Sequence, residues 1–256
     1  MNPHREGLSS AGKAGVVVVL IVVVLGAAYA GPSMLAGSGT RLTSSQSTGS
    51  SSGSASGPTA PDPAAALLPL FGYYSQMQVL QSALGAPQGG ISPGVNQVTF
   101  SYLVLGKATL NSTQYTRVQF SQSGQAHNVI AWFSPSGRID RVDVLPGTNY
   151  TRSGAGNPGN LPVMQVYVNA FSAITSLATN STLLSMLSKT TENMTSIGQS
   201  QLDVTTYQLA VPTQPYKSLT AKYGLVPGTN AKLLVYFDVK MTDGSETTIQ
   251  ILSLTK

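Results

Sequence analysis

The hydrophobic and polar positions after residue 65 predict a helix followed by a meander of strands. Apolar residues at helical spacing predict an amphipathic helix that ends at Gly85-Ala86-Pro87; they are Leu70, Tyr73, Tyr74, Met77, Leu80 and Leu84. Alternating apolar and polar positions then predict four strands, at residues 98–104, 115–121, 126–133 and 138–145. Ser134-Pro135-Ser136-Gly137 suits a tight turn between the last two strands. These four strands would form antiparallel hairpins.

The second half of the pattern predicts two helices and a closing hairpin. Residues 146–162 are rich in glycine and asparagine and predict a loop. Apolar residues between Val163 and Leu177 predict a helix that ends near Thr179, with Pro162 at a position that needs no N–H partner. The remaining predictions are a short helix at 183–189, a strand through 207–211, and strands at 233–239 and 249–254 joined at Asp243-Gly244. The predicted fold class is α+β, with an antiparallel sheet that is covered by helices and for which a half-barrel is one form.

A ten-residue run without a polar side chain, VVVVLIVVVL at residues 16–25, precedes this domain. Arg5 and Lys13 come before the run, and residues 14–40 carry no charge. The pattern predicts a transmembrane anchor over residues 14–36, with the N-terminus inside and the C-terminus outside. Residues 1–13 would then be a cytoplasmic basic segment, residues 37–65 a linker and residues 66–256 an extracellular domain. The predicted localisation is the cell membrane, with a single pass.

Two other interpretations of the apolar run stay open. Ala28-Tyr29-Ala30 fits the cleavage site of a secretory signal, which would be removed after Ala30. Arg5-Glu6-Gly7-Leu8 resembles the short charged leader, ending in glycine, of archaeal type IV pilin precursors, although Lys13 interrupts the start of the helix that should follow. All three interpretations export the C-terminal domain.

Composition narrows the classes of partner. The chain of 256 residues has no cysteine, so neither a disulfide nor a lipidated cysteine is available. Only 9% of its residues are charged, against roughly 25% in an average soluble protein. A polar surface built from hydroxyls and amides suits an acidic or hot exterior, as on archaeal cell surfaces. The net charge of +5 comes from scattered cations, so we expect no nucleic-acid partner.

The linker has a composition that cannot form a core. Residues 37–57 read GSGTRLTSSQSTGSSSGSASG, a low-complexity sequence typical of flexible linkers. A linker that continues to Pro63 has a typical reach of about 30 Å. We therefore expect the domain to be tethered rather than packed against the anchor.

Residues with catalytic chemistry are few. His127 is the single histidine after residue 65, and a lone histidine on a strand is more often structural than catalytic. Asp140 and Asp143 are three residues apart on a predicted strand, so we expect ion pairs with Arg138 or Arg141 rather than a paired-carboxylate site. The sequence therefore predicts a protein that is not an enzyme, with no cofactor and no metal.

Four N-x-S/T sequences predict N-glycosylation at Asn111, Asn149, Asn180 and Asn193. All four fall at predicted strand ends, loops or helix caps, where a bulky sugar can project into water. The sequence therefore predicts a glycoprotein.

The order of the elements, rather than a specific motif, resembles the LolA and LppX-like lipoprotein-carrier superfamily. The similarity rests on the early helix, the turn Phe133-Ser134-Pro135-Ser136-Gly137, the helix from 163 to 177, the strand Thr205-Thr206-Tyr207-Gln208-Leu209 and the closing hairpin. It implies a curved antiparallel half-barrel that is covered by helices and binds lipids or lipid anchors. The chain lacks the lipobox cysteine, so no functional residue is carried over.

Together these features predict a membrane-anchored extracellular binding protein. Its partner would be a lipid or another hydrophobic ligand, or an envelope protein. Two alternatives remain: a structural envelope or pilin-like filament subunit, and a secreted enzyme of unrecognised type.

Overall fold

The computed structural model describes residues 64–85, 94–151, 158–179, 181–212, 214–226 and 232–256. Most of these residues lie in one antiparallel sheet of eleven strands. The strands are β1 (Gln76–Leu84), β2 (Val95–Leu110), β3 (Thr113–Gln122), β4 (Asn128–Phe133), β5 (Ile139–Leu145), β6 (Thr148–Thr151), β7 (Leu187–Ile197), β8 (Ser200–Leu209), β9 (Tyr216–Leu225), β10 (Lys232–Met241) and β11 (Glu246–Thr255). The α-helices are α1 (Leu68–Tyr73), α2 (Pro162–Thr179) and α3 (Ser181–Ser185), and short 3-10 helices cover Ala65–Leu67 and Pro158–Asn160.

The sheet consists of two meanders joined in the middle. Its strand order is β6-β5-β4-β3-β2-β1-β11-β10-β9-β8-β7, and every neighbouring pair is antiparallel. The first and last strands, β1 and β11, therefore pair at the centre. Since β6 and β7 are the two outer strands, the chain between them must cross the whole sheet. The 18 residues of α2 supply roughly 27 Å of this crossing.

Aromatic side chains fill the space between α2 and the sheet. Tyr167 of α2 stacks on Phe120 of β3, with ring centroids 5.5 Å apart, and Phe171 meets Tyr102 of β2 at 5.2 Å. Phe71 of α1 also contacts Tyr102, with ring centroids 5.0 Å apart. All five side chains are buried. Such pairs add about 0.5–1.5 kcal/mol each beyond the area they bury, so α1 and α2 are held on one face of the sheet by a continuous aromatic layer.

The predicted fold class is wrong. A large antiparallel sheet dominates the described residues, and it is not a helix-covered α+β domain because α2 is the one described α-helix longer than two turns. The predicted helix through Leu84 ends at Tyr73, and the chain continues as β1 with a strictly alternating burial pattern. The predicted helix at 183–189 is α3 followed by β7. The strands β2 to β5, the helix α2 and the closing hairpin β10–β11 confirm their predictions.

The predicted single-pass localisation is also corrected. Among the described residues, no helix is long and apolar enough to cross a membrane. The predicted anchor over residues 14–36 lies outside the described residues, as do the basic segment and the linker up to residue 63.

One buried polar side chain interrupts the core at the centre of the sheet. Gln81 of β1 is 4% exposed and lies opposite Val98 of β2 and Ile249 of β11. Neither its Nε2 nor its Oε1 has a hydrogen-bond partner. A buried amide that gives up water without gaining a partner costs about 1–3 kcal/mol.

We therefore expect Gln81→Met to raise the free energy of unfolding by about 1–2 kcal/mol, because methionine fills a similar volume without an amide to desolvate. Urea-induced unfolding followed by circular dichroism measures the change. The matched control is Gln78→Met on the same strand, where the glutamine is half-buried. A loss of stability in Gln81→Met, or an equal gain in both variants, would contradict the assignment.

Candidate functional site

A cleft of about 460 Å³ opens where β7, β8, β9 and β10 meet. We call it the β7–β10 cleft. Its lining residues are Glu192, Asn193, Met194, Asp203, Val204, Thr205, Tyr207, Tyr223, Gly224, Leu225 and Lys232. A smaller cleft of about 210 Å³ lies at the other end of β8 and β9, beside Gln208, Leu209 and Pro212.

Two tyrosines on neighbouring strands form an aromatic pair in the β7–β10 cleft. Tyr207 of β8 lies opposite Ala221, and Tyr223 of β9 lies opposite Thr205. Because each tyrosine faces a smaller side chain, the two rings can meet on the diagonal between the strands. Their centroids are 5.6 Å apart in an edge-to-face arrangement. The sheet register itself therefore builds this aromatic surface.

Tyr223 also joins the cleft to the end of α2. Its hydroxyl donates a hydrogen bond to the carbonyl oxygen of Leu177, 3.5 Å away, in the last turn of the helix. Carbonyls of the last turn lack a partner within a helix, so this contact satisfies one of them. Burial, together with the neighbouring Tyr207, raises the pKa of Tyr223. The hydroxyl therefore stays protonated and remains a donor.

The rim of the cleft carries both signs of charge. Glu192 pairs with Lys189 across a bulge in β7, and the hydrogen bond from Lys189 lowers the pKa of Glu192. Asp203 lies opposite Met194 in the register, and Lys232 lies opposite Leu225. Within the described residues, neither Asp203 nor Lys232 belongs to an ion pair. Both side chains are exposed, so charged groups of an occupant can reach them.

Apolar side chains are exposed on the same rim. Met194 is 61% exposed and Leu225 is 51% exposed. With the two tyrosines they give the cleft an apolar and aromatic part beside its polar groups. This combination can hold an apolar body and orient it by charge and hydrogen bonding.

The residues considered as catalytic candidates lie in the other half of the sheet. His127 is half-buried just before β4, with its Nδ1 3.2 Å from the carbonyl oxygen of Leu145. Arg138 pairs with Asp140 and Arg141 with Asp143, each at 2.7 Å, which confirms the predicted ion pairs. None of these residues lines the β7–β10 cleft.

Three of the four predicted glycosylation acceptors are exposed. Asn111 lies in the turn between β2 and β3 with a positive φ of 48°, Asn149 lies on β6 and Asn193 on β7. Asn180 is outside the described residues. Asn193 also lines the β7–β10 cleft, so a sugar there would stand at its rim. Modification of these residues stays a prediction.

The residues of the cleft carried little signal in the sequence. The sequence predicts a strand at Tyr207, but it predicts neither β7 nor β9, so Glu192 and Tyr223 carry no signal. Lys232 lies one residue before the predicted strand at 233–239. The alternation of Leu219, Ala221 and Tyr223 in β9 is the pattern that indicates this strand.

No protein family matches the sequence, and no curated protein matches it. Solved structures match with low similarity. MucB, in the crystal structure of its complex with MucA(peri), is 13% identical with a TM-score of 0.30, and the match covers 70% of this chain and 50% of the MucB chain. A DUF1329 family protein from Desulfovibrio piger is 10% identical with a TM-score of 0.27, over 75% of this chain and 90% of that one.

A LolA superfamily protein from Nitrosomonas europaea is among the structural neighbours. It is 8% identical with a TM-score of 0.23, and the match covers 71% of this chain and 86% of the other. One of the structural neighbours is thus a member of the superfamily that the order of the elements resembles. With TM-scores below 0.5, these similarities carry no argument about what this chain binds.

Proposed function

We propose that this protein is a binding protein, not an enzyme, and that its β7–β10 cleft holds a hydrophobic ligand or an apolar segment of a partner. The observation that carries the proposal is the exposure of Met194 and Leu225 beside the paired Tyr207 and Tyr223. A volume of about 460 Å³ falls in the range of roughly 300–1,000 Å³ that is usual for ligand pockets.

The apolar part of the cleft sets a scale for affinity. Burial of apolar surface contributes roughly 25 cal/mol per Å², so an occupant that covered about 150 Å² would gain on the order of 4 kcal/mol. The translational and rotational freedom lost on binding, on the order of 4–15 kcal/mol, offsets that gain. Tighter binding requires the rim, where Lys232 can meet an anionic group and Asp203 a cationic one.

The position of β7 keeps this rim accessible. β7 is the last strand of the sheet and pairs on one side with β8. Its side chains from Ser188 to Met194 are exposed. An extended partner segment can therefore approach along β7 and place an apolar side chain in the cleft.

Binding of a hydrophobic dye tests the proposal. 8-Anilinonaphthalene-1-sulfonate carries an apolar body and one negative charge, which match the apolar rim and Lys232. We expect the double variant Met194→Ser/Leu225→Ser to weaken dye binding by about thirtyfold, since the two lost side chains together remove on the order of 2 kcal/mol of contact. Fluorescence titration of the full chain measures the dissociation constant.

The matched control is Val95→Ser at the start of β2, where the valine is 59% exposed and lies outside the cleft. We expect it to leave the dissociation constant unchanged. Lys232→Gln should weaken the binding of this anionic dye and leave the binding of the neutral dye N-phenyl-1-naphthylamine unchanged. Equal dye binding by the double variant and the control would contradict the assignment of the cleft.

A further inference from the structure

A row of side chains crosses the sheet on the face that points away from α2. Gly106 of β2, Arg117 of β3, Trp132 of β4 and Arg141 of β5 occupy successive register positions. Cross-strand neighbours share a face of a sheet. Val118, next to Arg117 in the chain, belongs to the core on the opposite face. We call these four residues the Arg117 row.

Charge within the Arg117 row is not balanced. Arg141 pairs with Asp143, and Arg138 beside the row pairs with Asp140. Arg117 has no carboxylate partner among the described residues. Its guanidinium carbon lies 5.6 Å from the centroid of the Trp132 ring, and its Nε is buried without an acceptor. Counted over the described residues, the Arg117 row therefore carries a surplus of one positive charge, held against an indole.

Open space adjoins this charge at Gly106. A bulge between Val104 and Gly106 brings the glycine opposite Arg117, with a φ of +90°. Apart from Gly106 itself and its two chain neighbours, no residue places an atom within 4 Å of the position where a side chain of Gly106 would begin. On the β4 side, Arg117 therefore has the Trp132 ring as its cross-strand neighbour. On the β2 side its neighbour is Gly106, which has no side chain.

We propose that the space over Gly106 binds a carboxylate group, which the guanidinium of Arg117 holds. A carboxylate matches the planar donor pair of a guanidinium with two parallel hydrogen bonds. Its single negative charge equals the local surplus. The stacking of Arg117 on Trp132 holds the guanidinium in place before the anion arrives. The site lies on β2 and β3, so it is independent of the β7–β10 cleft.

The chain offers a specific reporter for this site. Trp132 is its one tryptophan, and the indole Nε1 donates a hydrogen bond to Asp143, 2.8 Å away. The indole N–H resonance of the ¹⁵N-labelled full chain therefore reports on the Arg117 row alone. We expect sodium acetate at millimolar concentration to shift this resonance along a saturable curve, while sodium chloride at equal ionic strength does not.

Two variants separate the guanidinium from the space beside it. Arg117→Gln should abolish the saturable shift. Arg117→Lys should weaken acetate binding about tenfold, because an ammonium lacks the paired donors of a guanidinium. Gly106→Asn should also weaken acetate binding, because its side chain fills the space while Arg117 stays intact. Asparagine is chosen because it tolerates the positive φ at this position. If Arg117→Gln does not fold, the acetate titration of Gly106→Asn tests the proposal instead. Lys222→Gln is the control, because Lys222 lies 5.3 Å from the Tyr236 ring at a distant position.

Several outcomes would overturn the proposal. A linear drift of the indole resonance, or the same curve with chloride, would show an unspecific effect of salt. Saturation that survives in both Arg117→Gln and Gly106→Asn would place the anion elsewhere. Inorganic phosphate that displaces acetate at equal concentration would contradict the assignment to a carboxylate.

Discussion

Replacing Gly137 with alanine is expected to lower the free energy of unfolding by roughly 3–5 kcal/mol. Gly137 ends the turn between β4 and β5, with a φ of +84°. A β-carbon there would lie 2.4 Å from the Cα of Ala65 and 2.6 Å from its Cβ. Backbone cannot yield as a flexible side chain does, so the 3-10 helix and α1 behind it would have to move. Urea-induced unfolding followed by circular dichroism measures the loss.

Gly124→Ala is the control for this variant. Gly124 has a φ of +77°, close to that of Gly137, but no residue beyond its two chain neighbours places an atom within 4 Å of the position of its missing side chain. Only the backbone strain remains there, so we expect a loss of about 1–2 kcal/mol. Equal losses at the two positions would show that the contact with Ala65 does not matter.

Gly137 illustrates what local sequence could and could not predict. Ser134-Pro135-Ser136-Gly137 indicated the turn, and the amide of Gly137 does donate to the carbonyl oxygen of Ser134 at 2.9 Å. The approach of Ala65 could not be predicted, because it joins residues about seventy positions apart. The type of a turn depends on the residues within it, whereas close packing between distant segments depends on the whole fold.

β1 shows why the fold class was missed. Its residues fit two periods at once: Met77, Leu80 and Leu84 fit a helix, while Met77, Val79 and Ala83 alternate as in a strand. The pairing with β2 and β11 decides between them, since it satisfies the backbone on both sides. β2 is the next strand along the chain, but β11 lies more than 150 residues after β1, so local sequence does not reveal that pairing.

The cleft was missed for a related reason. β7 is exposed along most of its length, so its sequence LSKTTENMTSI shows no apolar stripe. Only its pairing with β8 defines it as a strand. The helix α2, in contrast, was predicted with nearly the observed bounds, because an amphipathic helix records its buried face in its own sequence.

Phe120 joins both helices to the sheet, and Phe120→Ala is expected to cost about 4 kcal/mol of stability. Its ring is fully buried and lies 5.5 Å from that of Tyr167, 5.8 Å from Phe171 and 6.1 Å from Phe71. Truncation leaves a cavity bordered by β2, β4, α1 and α2, which cannot all close on it. Since small domains have roughly 5–15 kcal/mol of stability in total, this variant should be near the limit of folding.

The size of the loss depends on the cavity rather than on the aromatic contacts alone, and Phe120→Leu separates the two. Leucine keeps most of the volume but removes the ring contacts, so we expect a loss of about 1–2 kcal/mol. Thermal and urea-induced unfolding of the full chain measure both variants. A loss for Phe120→Ala no larger than that for Phe120→Leu would show that α1 and α2 relax into the space. The aromatic layer would then fail to fix the helices on the sheet, and α2 would lose its role as the rigid support behind Tyr223 and the β7–β10 cleft.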